Sequence, residues 1–152
     1  MSDAAEYLRT VVRVFPDYAG TVLWFAAGPV LYDEAHLTEG LVAEMVRWEA
    51  AYYASLTDFF EWRPGTDPSA FDEQGLRLAK RLAEELGDAV EVEYHHRREG
   101  APQPVRLRGA GNGTNAAARA AFVGMALDAK LEDERLSQIP PGGDVRLRFG
   151  PR

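Results

Sequence analysis

The sequence contains no cysteine and no long hydrophobic run. Without cysteine, the 152 residues can form neither disulfide bonds nor thiolate zinc sites, and no cysteine nucleophile is available. No apolar stretch approaches the ~18–20 residues that a membrane span requires. Residues 1–6 are acidic and lack the basic and then apolar order of a secretory signal. We therefore expect a cytoplasmic protein that does not enter a membrane.

Positive charge is also scarce. The net charge is −7 and the isoelectric point is near 5.0. This argues against nonspecific nucleic-acid binding, because such binding requires Lys and Arg side chains at the phosphates. Residues 33–93 hold 15 acidic and 5 basic side chains, whereas residues 94–152 hold 6 and 10. An acidic centre can steer a basic protein partner to one face. The alternative is that the two halves neutralise each other within the fold.

The spacing of apolar residues predicts a single α+β domain over residues 1–152. Period-2 alternation and β-branched content predict strands at residues 7–15, 21–25, 89–95, 105–108 and 145–148. Apolar stripes at helical spacing predict helices at residues 41–56, 71–86 and 115–138. We expect a small, mainly antiparallel sheet packed against three helices, in the order ββααββαβ.

The same periodicity assigns faces to the side chains. Trp48 and Tyr52 lie on the broad apolar stripe of the first helix, which indicates a core role. The second helix places Leu78 and Leu82 inward. Its predicted outer face includes Asp72, Glu73 and Glu85. The predicted outer face of strand 89–95 carries Glu91, Glu93 and His95.

The connection between the first two helices is unusually aromatic. Phe59, Phe60 and Trp62 precede Pro64 and Pro68, which prevent the helix from continuing. One interpretation is that this cluster folds back onto the core. The other is that it is exposed among carboxylates, as aromatic residues at protein interfaces often are.

No catalytic, metal or cofactor motif emerges, so we predict none of these sites and no enzymatic activity. Glu91, Glu93 and His95 are metal-competent by type, but alternate strand residues lie ~6.5–7 Å apart, which favours a solvated strand face. The loop from Gly109 to Asn115 has the layout of a phosphate site before a helix. It lacks the lysine of the phosphate-loop motif, and a well-capped turn explains it equally well.

Residues 7–95 resemble a group of small acidic bacterial proteins, many of which look like immunity proteins of polymorphic toxin systems. The resemblance is carried by core-type positions: Leu23-Trp24, Leu41 through Trp48-Glu49, Tyr52-Tyr53, Phe71, Gly75, Leu78-Ala79, Leu82, Glu85-Leu86 and residues 90–94. It implies a fold and a toxin partner but supplies no catalytic residues. Residues 96–152 form an extension relative to this group.

Together, the resemblance and the charge favour a non-enzymatic immunity-type protein that neutralises a basic toxin domain by direct contact. The predicted contact residues are Asp58, Phe59, Glu61, Trp62, Asp67, Asp72 and Glu73. Two alternatives stay open. One is a ligand- or phosphate-binding domain or enzyme that uses the loop from Gly109 to Asn115. The other is an assembly protein whose basic C-terminal part docks on an acidic neighbour.

Overall fold

The computed structural model describes residues 3–100 and 103–139. The helices in these residues are α1 (Asp3–Thr10), α2 (Tyr32–Ala35), α3 (Glu39–Ala54), α4 (Pro68–Leu86) and α5 (Ala116–Ser137). The strands are β1 (Val11–Val14), β2 (Leu23–Phe25), β3 (Gly28–Pro29), β4 (Glu91–Tyr94) and β5 (Val105–Arg108), and a 3₁₀ turn (Gly87–Ala89) precedes β4. None of these helices combines the length and apolar character needed to cross a membrane.

The strands form one sheet in the order β3-β2-β1-β4-β5. The central pair, β1 and β4, is parallel, and the other three pairings are antiparallel. The parallel pair requires a long crossover, which α2, α3 and α4 provide. The predicted α+β class with a mainly antiparallel sheet is confirmed. The predicted strand at residues 145–148 lies outside the described residues.

The N-terminal region differs from the sequence prediction. Residues 7–10, predicted as part of a strand, form the last turns of α1, and the strand begins only at Val11. The segment before Val11 is rich in Ala, Glu, Leu and Arg, which are good helix formers, and β-branched residues dominate after it. Arg9 then pairs with Asp133 of α5 at 3.3 Å, which ties α1 to the C-terminal helix. The short elements α2 and β3 were also not predicted.

The core contains a close contact where α3, α4 and β4 meet. Gly75 of α4 faces the rings of Trp48 from α3 and Tyr94 from β4, and a Cβ at this position would lie 2.5 Å from Trp48 Cζ2. Trp48 stacks on Phe71 with ring centroids 4.5 Å apart, and its indole N–H donates to the Phe71 carbonyl at 3.1 Å. The glycine therefore permits the close approach of α3, α4 and β4.

Glu85 and Glu93, two of the three carboxylates that were predicted on outer faces but are buried, join separate segments of the fold. Glu85 accepts hydrogen bonds from the backbone N–H of Thr38 at 3.1 Å and from Asn115 Nδ2 at 2.9 Å, so it joins α4 to the beginnings of α3 and α5. Glu93 accepts from Tyr7 Oη and from Arg106 Nε, the latter at 2.8 Å. Periodicity placed both outward, but hydrogen bonds from distant segments compensate their burial.

Gly75→Ala tests the contact at the centre of the core. We expect it to lower the free energy of unfolding by about 1–3 kcal/mol, because the added methyl group overpacks two rigid rings. Gly124 of α5 is a matched control, since a Cβ there meets no atom within 4 Å. Gly124→Ala should raise the free energy of unfolding by about 0.5–1 kcal/mol through helix propensity. Urea unfolding of both variants measures this difference, and equal effects would contradict the packing described.

Candidate functional site

The connection after α3 is a tight turn that projects residues 58–61. Leu56 and Trp62 form an antiparallel bridge. Inside it, the backbone N–H of Thr57 donates to the Glu61 carbonyl at 2.7 Å, and Thr57 Oγ1 accepts from the N–H groups of Phe59 and Glu61. These bonds hold the turn without a regular secondary structure. Hydrogen bonds therefore fix the conformation of the turn that carries residues 58–61.

The turn presents large aromatic side chains to solvent. Phe59 is 81% exposed and Phe60 is 70% exposed. Tyr18, from the turn between β1 and β2, is 60% exposed and meets the Phe60 ring edge-to-face at 6.1 Å. Tyr18 also stacks on Tyr53 of α3 with centroids 4.4 Å apart. We call Tyr18, Tyr53, Phe59 and Phe60 the aromatic patch.

Two members of the aromatic patch have strained backbones. Tyr18 has φ 57° and Phe60 has φ 63°, both in the left-handed region that bulky residues rarely adopt. Such conformations cost of order 1–3 kcal/mol each and cluster at functional sites. Exposed rings recover little of this energy through burial. Ala26 and His36, which lie outside the patch, also have positive φ, so this conformation is not confined to the patch.

Hydrogen bonds connect the aromatic patch to a buried carboxylate, that of Glu49. The backbone N–H of Tyr18 donates to Tyr53 Oη at 2.6 Å, and Tyr53 Oη donates to Glu49 Oε2 at 2.9 Å. Glu49 is itself buried. Burial raises the pKa of Tyr53 to about 12, and its hydrogen bond to Glu49 acts in the same direction. The tyrosine is consequently neutral at physiological pH and can serve as the donor in this relay.

Carboxylates flank the aromatic patch along the chain. Asp58 precedes Phe59, Glu61 follows Phe60, and Asp17 precedes Tyr18; all three are exposed. Asp58, Phe59 and Glu61 therefore lie together, as their positions in the sequence suggested. Asp17, Phe60 and the two tyrosines were not among the predicted site residues.

Trp62 behaves differently from its neighbours. Its ring meets Tyr52 at 5.5 Å and Phe71 at 5.6 Å, so it packs toward the helices and is only half-exposed. Both interpretations of the aromatic cluster thus apply, each to different members. Phe59 and Phe60 face solvent, and Trp62 anchors the turn to the core.

The predicted residues of α4 do not form one cluster. Asp67 is the N-cap, and its Oδ1 accepts from the backbone N–H of Ala70 at 3.2 Å. Glu73 is exposed. The expectation that Asp72 lies on the outer face is wrong. It is 2% exposed and accepts from Tyr94 Oη at 2.6 Å and from the Arg97 N–H at 2.9 Å, which fixes the end of β4 against α4.

The loop from Gly109 to Asn115 uses its amide groups internally. The N–H groups of Gly113, Thr114 and Asn115 donate to the carbonyls of residues 110, 84 and 85. Asn115 Oδ1 also caps α5 by accepting from the Ala118 N–H at 3.0 Å. A phosphate at this helix start would have to compete with these bonds, so the geometry favours the capped turn over an anion site.

The outer strand face carries a ladder of paired charges. Arg106 contacts Glu91 at 3.5 Å and Glu93 at 2.8 Å, and Arg108 contacts Glu91 at 3.5 Å. A hydrogen bond joins His95 Nε2 to Glu93 Oε1 at 2.7 Å. Burial acts to raise the pKa of Glu93, but hydrogen bonds from Tyr7, Arg106 and His95 outweigh it and hold the pKa below its ordinary value. In residues 3–100 and 103–139, no group of three or more side chains is placed to bind a metal.

The strain at Phe60 leads to a stability prediction. Phe60→Gly removes the left-handed penalty of ~1–2 kcal/mol, whereas Phe59→Gly, at a neighbouring position without positive φ, only loosens the chain. We expect the Phe60→Gly protein to be more stable than the Phe59→Gly protein by about 1–2 kcal/mol. Thermal or urea unfolding decides this, and equal stability would mean that the backbone at Phe60 is not strained.

The tyrosine below the patch leads to a pH prediction. Because the pKa of Tyr53 is about 12 in the folded protein, its stabilising contribution is fully present below the unfolded pKa of ~10. It is lost as the pH rises from ~10 to ~12, since the unfolded chain ionises first. Tyr53→Phe should therefore reduce the loss of stability across this range. Unfolding curves at successive pH values test this. If the free energy of unfolding depends on pH equally in both proteins, the raised pKa of Tyr53 is contradicted.

Part of the chain matches a protein-family model. The model described as Serratia CdiI immunity protein-like matches residues 10–97, which is more than half of the chain. The match includes the aromatic patch, α3, α4 and β4, and it ends before β5 and α5. No curated protein matches the chain.

Proposed function

Because the chain belongs to the Serratia CdiI immunity protein-like family, we propose that it neutralises a toxin by direct, non-enzymatic contact through the aromatic patch and its flanking carboxylates. The observation that carries this proposal is the exposure of Phe59, Phe60 and Tyr18 on a strained but hydrogen-bonded support. Aromatic residues dominate the energy of protein interfaces, and pre-formed surfaces bind with less ordering cost.

The charge around the patch favours a basic partner. Asp17, Asp58 and Glu61 border the exposed rings, and the whole chain carries a charge of −7. A toxin that acts on an anionic substrate presents basic side chains at its cleft. Carboxylates that approach these side chains speed the encounter, and the rings supply desolvated contact. In this mechanism the immunity protein blocks the cleft and transforms no substrate.

Truncation of the exposed rings tests the contact. Phe59→Ala/Phe60→Ala should weaken the complex with the cognate toxin domain by roughly 30-fold or more, as loss of a hot spot does. Leu127→Ala/Leu131→Ala is the matched control, because both leucines are exposed on α5. Calorimetric titration measures the affinity, and growth rescue on co-expression measures protection. Equal losses in both variants would contradict the proposed surface.

Charge reversal tests the role of the carboxylates. Asp58→Lys/Glu61→Lys should slow association by roughly 10-fold or more at low salt and flatten its dependence on salt concentration. Asp128→Lys/Glu134→Lys makes the same change in charge at exposed positions of α5 and should have a smaller effect. Stopped-flow association at several salt concentrations distinguishes the two. Indistinguishable rates would remove the electrostatic part of the proposal.

A further inference from the structure

Strand β5 is an edge of the sheet. In the order β3-β2-β1-β4-β5 it pairs with β4 on one side. No strand pairs with its other side anywhere in residues 3–100 and 103–139. Alternate residues of an edge strand direct their N–H and C=O groups away from the sheet, where they can pair with an added strand. Within the described residues, the outward-facing backbone groups of residues 105–108 are therefore left without a strand partner.

The side chains of β5 divide cleanly between the two faces. Val105 and Leu107 are half-buried, and Leu107 packs against the core. Arg106 and Arg108 stand on the opposite face, where their side chains are 47% and 49% exposed. Their ion pairs and hydrogen bonds use Nε and Nη1 of Arg106 and Nη1 and Nη2 of Arg108. Among the described residues, Arg106 Nη2 and Arg108 Nε form no hydrogen bond.

This pattern disfavours pairing between two copies of the chain. A register that keeps the apolar side chains on one face puts arginine beside arginine, because the side-chain period of a strand is two. Like charges directly opposite each other destabilise a strand pair. Charged side chains on an edge strand disfavour such self-association. The two arginines likewise favour an added strand that carries negative charge.

We propose that the free edge of β5 binds an extended segment of a partner protein that carries carboxylates at alternating positions. Its carboxylates would face Arg106 and Arg108 and would continue the ladder that begins with Glu91 and Glu93 of β4. Its other side chains would extend the apolar face of Val105 and Leu107. This site is separate from the aromatic patch and takes the opposite charge, so it does not depend on the proposed function.

The probe for this site is a capped seven-residue peptide of alternating Val and Glu, compared with the same peptide carrying Lys in place of Glu. Hydrogen exchange by NMR reports on the amides of residues 105–108, some of which face solvent at a free edge. The acidic peptide should slow exchange of the outward amides in this strand, and the basic peptide should not. Protection by both peptides, or by neither, would overturn the proposal.

Variants separate the arginines from the backbone. Arg106→Gln/Arg108→Gln should weaken binding of the acidic peptide by about 2- to 30-fold, as expected for two cross-strand charge pairs. Arg135→Gln, on α5, is the control and should leave binding unchanged. A third outcome would show that residues 140–152 already cover the edge. In that case all β5 amides exchange slowly without peptide, and they exchange faster in a chain that ends at residue 139. This result would contradict the proposal.

Discussion

The close approach of α3, α4 and β4 at Gly75 organises both the core and the candidate binding surface. With no Cβ at this position, the rings of Trp48 and Tyr94 can lie against the α4 backbone. Trp48 stacks on Phe71, and Phe71 in turn contacts Tyr52 and Trp62. A continuous series of aromatic contacts thus runs from the centre of the fold to the base of the exposed turn. The position of Phe59 and Phe60 depends on this packing.

The structure assigns different roles to side chains of the same type. Trp48 and Tyr94 are buried and Phe71 is partly buried, so all three contribute to packing. Phe59, Phe60 and Tyr18 remain in solvent, and the backbones of Phe60 and Tyr18 are strained. The carboxylates divide in the same way. Asp72, Glu85 and Glu93 are buried and join separate segments by hydrogen bonds, while Asp58 and Glu61 are exposed beside the aromatic patch. Residue type alone therefore does not distinguish a buried side chain with a structural role from an exposed one.

The sequence predicted the features that depend on local periodicity. The apolar stripes of α3, α4 and α5 specify where these helices lie, and alternation located β4 and β5. It also identified the aromatic turn, because the prolines after Trp62 end the helical pattern. Burial of Asp72 could not be predicted in this way, since its partners Tyr94 and Arg97 come from the far end of the next strand. The contact between Tyr18 and Phe60 likewise depends on tertiary packing, and the local sequence around either residue does not predict it.

The central claim is that the toxin covers the aromatic patch. Hydrogen–deuterium exchange of the free protein and of its complex with the toxin domain tests this claim most directly, because it maps the contact without substituting any residue. The account predicts that peptides containing Tyr18 and peptides containing Phe59 and Phe60 exchange more slowly in the complex. Protection confined to α5 or other regions, with unchanged exchange in both turns, would contradict it.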